Sequence, residues 1–277
     1  MEGARRSLAE RRPHWFPPIG EISEAFREHE LFIFASALAY RVLLSLVPLT
    51  LLGFALLGLL GREDLWRDEL APALKDRVTP AVYRAINDTV DRIFANETWA
   101  LFAFAVGLTL WHLTRAMRIV MKALNAIHGV RERRSGRRLV VTDVVLAVVV
   151  ALSFIGSFSL VALLPRLVHG GVASTALKVV AWLAATVVIA VTLAILVRYA
   201  PAERPEFGWA SAGSLVVVVT WIVATAVFAW WAGSVANYKS AVGTLAAFLV
   251  LTTYVLVSTT IFLVGAQLDE LARQRQT

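Results

Sequence analysis

The chain has 277 residues, of which 58% are hydrophobic and only 17% charged, with mean hydropathy +0.68 and a net charge of +7. Soluble domains run at about 45–50% apolar and about 25% charged residues, so these figures exclude an ordinary water-soluble fold and point to the membrane. The chain contains no cysteine, which excludes a disulfide framework and any Cys-ligated metal site.

Segment 1–30 carries Arg5, Arg6, Arg11 and Arg12 but no short apolar core followed by a small-residue cleavage site. It reads as a retained tail and not as a signal peptide. A helix needs about 20 apolar residues to cross a hydrocarbon core of about 30 Å. Six runs meet that length: 31–60, 99–117, 139–164, 172–197, 208–232 and 241–268. They predict an all-α polytopic membrane protein. The Val-rich runs are too long for strands and lack the alternation of a barrel.

The first run carries Arg41, about 15 Å into the helix at 1.5 Å per residue. An arginine inside a bilayer costs roughly 2.5–3.5 kcal/mol. Arg41 is therefore expected to face the bundle interior, a water-filled cavity or a partner; a snorkelling arginine is the alternative. Asp143 matches it in charge but differs in depth. Pro48 removes a helix hydrogen bond and clashes near Leu44, which predicts a kink.

The outer loop 61–98 holds eight acids against six bases. Val82, Ile86, Val90 and Ile93 recur at helical spacing, so a short amphipathic helix should follow Pro80. It would lie on the membrane surface, cap the bundle or act as a lid. The second run passes into a polar stretch with His112, Arg115, Arg118 and Lys122 on one face. Leu113, Met117, Met121, Leu124 and Ile127 continue the apolar set on another. This predicts a helix that leaves the membrane and stays amphipathic, its basic face either holding lipid phosphates or simply solvated. Asn125 and His128 lie on the same extension.

Arg131, Arg133, Arg134, Arg137 and Arg138 form the densest basic cluster. No aromatic-interleaved basic surface accompanies it, so anionic lipid headgroups fit it and nucleic acid does not. With six spans and both termini inside, inner segments hold sixteen Lys or Arg and outer segments eight. That asymmetry predicts cytoplasmic termini, with 269–277 as a C-terminal tail. In the last run Gly243 with Ala247, and Gly265 with Ala266, permit close helix approach.

Several short motifs resemble the YihY / virulence factor BrkB family. They are Ala37-Leu38-Ala39-Tyr40, Ser45-Leu46-Val47-Pro48-Leu49, Leu110-Trp111 and Ala123-Leu124-Asn125-Ala126-Ile127. Tyr199 with Pro201, Trp209 with Gly213, Tyr238 with Gly243, and Gly265-Ala266-Gln267-Leu268 follow in order. The resemblance covers roughly residues 25–270. It implies a bacterial inner-membrane protein of about six spans, with export or lipid-related transport as the suggested activity. Two positions depart from the family pattern: Gln267 stands where a Glu is usual, and Arg41 stands where an aromatic commonly follows the tyrosine.

The candidate substrate- or lipid-binding residues are Tyr40, Arg41, Ser45, Arg115, Arg118, Asn125, Tyr238 and Lys239. Pro48, Gly243, Gly265 and Gln267 are candidate hinge or packing residues. The five histidines lack ligand spacing, and no phosphate loop or nucleophile elbow is present. The reading is thus a non-enzyme without metal or cofactor, with membrane lipids as partners and homo-oligomerisation left open. It is either a translocator of lipids or anionic amphiphiles or a non-transporting scaffold.

Overall fold

The structure is a computed structural model that describes residues 19–75, 78–95, 99–164, 171–203, 212–234 and 241–275. Among these residues the regular structure is entirely helical. Helix α1 spans Ile19–Glu28 and α2 spans Leu31–Leu59. A π-helical stretch, Leu65–Leu70, runs into the short α3, Ala71–Lys75, and α4 spans Pro80–Ala95. Then come α5 (Trp99–Ile127), α6 (Gly136–Leu163), α7 (Gly171–Tyr199), α8 (Ala212–Ser234) and α9 (Ala241–Gln274). Six of them, α2 and α5 to α9, are long and apolar enough to cross a membrane.

Their ends differ from the hydropathy runs in a consistent direction. Helix α5 continues ten residues past 117, and α9 continues to Gln274 instead of stopping at 268. The expected N-terminal tail contains α1, which packs on α2 and α9. Polar residues end an apolar run without ending a helix, because the helix needs only its backbone bonds and one apolar stripe. Helix α2 runs unbroken through Pro48, which is buried. The start of the fifth predicted span, 208–211, lies outside the described residues.

The long helices pack in the order α7, α6, α5, α2, α9, α8. Side-chain hydroxyls join neighbours. Thr259 Oγ1 donates to the Ala35 carbonyl (3.1 Å), and Thr192 Oγ1 donates to Ser153 Oγ (2.6 Å). Trp221 Nε1 donates to Ser258 Oγ (3.3 Å), and Phe228 stacks on Tyr254 at 4.4 Å. The largest core, with Leu31, Leu38, Met117, Met121, Leu124, Leu146, Leu196 and Leu263, gathers toward one end of the bundle. That end also carries α1, the α5–α6 loop and the last turns of α9, and is called here the basic end. At the opposite end Trp66, Ala71, Val90 and Phe94 form a second, smaller core against Phe54 of α2. The predicted amphipathic helix of the outer loop is α4, whose apolar face supplies Val90 and Phe94 to that core.

Candidate functional site

Helical phase decides where the basic residues of α5 point. At about 100° per residue, Ala105, Thr109, Leu113, Ala116, Met117 and Val120 share one face, and all are buried. Gly107, Thr114, Arg115, Arg118 and Lys122 lie on the opposite face. That outer face is the floor of an open groove of about 650 Å³, with Arg41 of α2 on one wall and Val144 of α6 on the other. Arg41, Arg115, Arg118 and Lys122 all line it, together with Leu110, Trp111 and Ile119. Of the surroundings expected for Arg41, the one the structure offers is an open cavity and not the closed bundle interior. Arg41 lines a groove on the outer flank, half-buried, where its long stem can cover apolar surface.

The depth of the groove follows from helix rise. Arg41 lies 18 residues from Leu59, and Arg118 lies 19 residues from Trp99, so both are about 27–28 Å from the far ends of their helices. Each is about 14–15 Å from the basic end. Arg41 and Arg118 thus sit toward the basic end, roughly one hydrocarbon thickness from the other, with Arg115 one turn farther from the basic end and Lys122 one turn nearer to it.

Two contacts fix their orientation. The Arg115 guanidinium stands 4.4 Å over the Trp111 ring, a cation–π arrangement that holds the charge at the groove floor. Arg118 donates through Nε (2.9 Å) and Nη2 (2.6 Å) to Oδ2 of Asp143 on α6. Asp143 is fully buried, while the Arg118 side chain is 48% exposed. A guanidinium has five N–H donors, so the pair leaves three of them for a ligand. Asp143 Oδ1 is buried without a hydrogen-bond partner among the described residues. Asp143, matched by charge to Arg41 in the sequence, is thus the counter-ion of Arg118.

The other candidates fall elsewhere. Tyr40 is exposed beside Arg41, whose guanidinium lies 6.0 Å from its ring, but Tyr40 does not line the groove. Ser45 is buried and donates to the Val42 carbonyl (2.7 Å). Asn125 is also buried: its Nδ2 donates to Glu132 (3.1 Å), and its Oδ1 accepts from the Ala202 amide (2.7 Å). Arg134 completes that junction by bonding Glu132 and the Ala200 carbonyl. The Arg134 hydrogen bond, followed by others, holds the Glu132 carboxyl down at about 2. These contacts tie the α5–α6 loop to the end of α7. Gly265 is buried in the wall of a smaller seam, about 210 Å³, between α7, α8 and α9. Gly243 lies in the first turn of α9. Tyr238 and Lys239 lie outside the described residues.

Sequence reasoning missed the acid that serves the last helix. Gln267 is buried, with its Oε1 3.0 Å from His29 Nδ1. One turn later Glu270 is also buried, 3.0 Å from His128 Nδ1 and bonded by Arg273 and Gln274. Burial pushes the His128 imidazole below its usual range, against the opposing pull of Glu270. An acid just past an apolar run, on the stripe that continues it, was the available signal.

The profile of the virulence factor BrkB family matches residues 22–277. The chain is 20% identical over 264 residues to the ribonuclease-like protein YfkH of Bacillus subtilis (strain 168), covering 92% of this chain and 95% of that one. It is 26% identical over 258 residues to a UPF0761 membrane protein of Alkalilimnicola ehrlichii (strain ATCC BAA-1101 / DSM 17681 / MLHE-1), covering 90% of this chain and 56% of that relative. No solved structure matches.

Proposed function

This chain belongs to the virulence factor BrkB family, and from that premise we propose that it translocates lipids or other anionic amphiphiles across a bacterial inner membrane, with both termini cytoplasmic. The carrying observation is the groove: Arg41, Arg115, Arg118 and Lys122 converge on one open, largely apolar trough on the outer flank of the bundle. Among the described residues the only acid paired there is Asp143, on Arg118, which leaves Arg41, Arg115 and Lys122 in excess. Guanidinium groups match phosphate oxygens in a two-pronged geometry, and Trp111 suits the headgroup level. An amphiphile can lay its charge on the cations while its tail stays in the lipid. No enzymatic reaction, metal or cofactor is assigned.

The second reading is a non-transporting scaffold. It draws on the hydroxyls inside the spans, which bond backbone carbonyls or one another as packing groups do.

The test is lipid movement in reconstituted vesicles. A fluorescent anionic lipid should exchange leaflets with the protein present, and Arg41→Leu with Arg115→Leu should suppress that exchange. Each lost charge-assisted hydrogen bond is worth roughly 1.5–3 kcal/mol, and 1.4 kcal/mol is about tenfold in affinity. A tenfold or greater loss is therefore expected. Exchange no faster than in protein-free vesicles would favour the scaffold.

A further inference from the structure

Helix α4 has an apolar half wider than its core requires. Tyr83, Ile86, Val90 and Phe94 pack in the outer core or against it. The rest of that half, Val82, Ala85, Thr89 and Ile93, looks onto a slot of about 670 Å³ whose other wall is Leu46, Val47, Thr50, Leu51 and Phe54 of α2. The slot lies on the other flank of α2 from the basic groove. Thr50 follows Arg41 by nine residues, which places it about 180° around the helix. From Leu46 to Phe54 the slot runs about 12 Å along α2.

Its chemistry selects the occupant. The two hydroxyls in the lining satisfy themselves: Thr50 Oγ1 donates to the Leu46 carbonyl (2.7 Å) and Thr89 Oγ1 to the Ala85 carbonyl (2.6 Å). Every other lining residue is apolar. A slot with such a lining offers water no hydrogen-bond partners and gains by covering its apolar surface with an apolar ligand. The mouth is continuous with the exposed flank of a membrane-spanning helix, marked by Tyr40 and Val47. On the far side of α4, Arg84, Asp88, Asp91 and Arg92 are exposed, the arrangement of a helix that lies in a membrane interface with its apolar side down.

We propose that this slot between α2 and α4 is a binding site for a single lipid acyl chain, separate from the basic groove. The inference rests on neither the groove nor translocation, so it stands or falls independently of them. The occupant is one chain held between two protein walls, in contrast to the lipid that bathes any exposed helix.

Because the chain lacks cysteine, single labels are clean. Val47→Cys carries a small fluorophore at the slot, and Val187→Cys carries the same fluorophore on an exposed flank of α7. The protein is reconstituted in phosphatidylcholine vesicles containing increasing amounts of phosphatidylcholine with a nitroxide on its acyl chain. Quenching at Val47→Cys should saturate at low mole fraction and be reversed by excess single-chain lysophosphatidylcholine, while quenching at Val187→Cys rises in proportion to the quencher. Filling the slot with Ala85→Phe, or in a milder form Ala85→Leu, should weaken the saturable phase, with Phe causing at least a tenfold loss. Proportional quenching at both labels would overturn the proposal, as would a saturable phase indifferent to both fillers.

Discussion

Arg118 and Asp143 form a pair whose two members differ sharply in burial, and the consequence is a strong asymmetry between their mutants. Asp143 is completely buried, and the Arg118 side chain is about half exposed. Arg118→Leu leaves a buried carboxylate without its counter-ion, a change that costs about 3–5 kcal/mol. Asp143→Asn leaves a guanidinium that can turn into the groove and find solvent or headgroups. Its cost is the charge-assisted part of the bond alone, about 1 kcal/mol. Replacing both, Arg118→Leu with Asp143→Leu, removes the buried charge and should recover most of the loss. The assay is reversible unfolding in mixed micelles followed by circular dichroism, with the three variants compared at neutral pH. The single arginine variant should lose more than a hundredfold in its folding constant, with the double variant close to wild type. If Asp143→Asn costs as much as Arg118→Leu, burial is not what governs this pair and the reasoning fails.

Two further outcomes concern the ends of the bundle. Glu132, held at about 2 by Arg134, has a depressed folded value, so its stabilising contribution is present above the ordinary 4.5 and is lost as pH falls from there toward 2. Glu132→Gln should therefore lower the melting temperature at pH 7, and the gap to wild type should close as pH drops through that window; a gap constant with pH would refute it. Glu30, between α1 and α2, has φ of 51°, a left-handed conformation that costs a non-glycine residue about 1–2 kcal/mol. Glu30→Gly should raise stability by up to about 1 kcal/mol in the same unfolding assay, and a net loss would show that the Glu30 side chain matters more than its backbone.

The membrane class and the six long helices were legible in the sequence because hydropathy is local: each run declares itself without reference to the others. Helix ends were less legible. Asp269 and Glu270 end an apolar run, yet α9 continues because its inward stripe, Leu263, Ala266 and Gln267, is prolonged by Glu270, itself buried. The pairings were illegible for a different reason. Arg118 and Asp143 are 25 residues apart, and His128 and Glu270 are 142 apart; only the packing of α5 against α6 and α9 brings them together. The convergence of Arg41, Arg115 and Arg118 was partly readable, since Arg41 was singled out on the first run and Arg115 and Arg118 on the second. That they share an outer groove required the phase of α5 against its neighbours. Ser45 and Asn125 show why a polar residue in or near a span is hard to read from sequence: both are buried and bonded to backbone or loop partners that no local pattern announces.

On the proposed function the groove holds an anionic headgroup. That is tested most directly by counting lipids retained on the protein in native mass spectrometry after delipidation and titration with phosphatidylglycerol or phosphatidylcholine. The wild type should retain phosphatidylglycerol stepwise over phosphatidylcholine, and that preference should weaken tenfold or more in Arg41→Leu with Arg115→Leu. Equal retention of the two lipids, or a preference unchanged in the double variant, would contradict it.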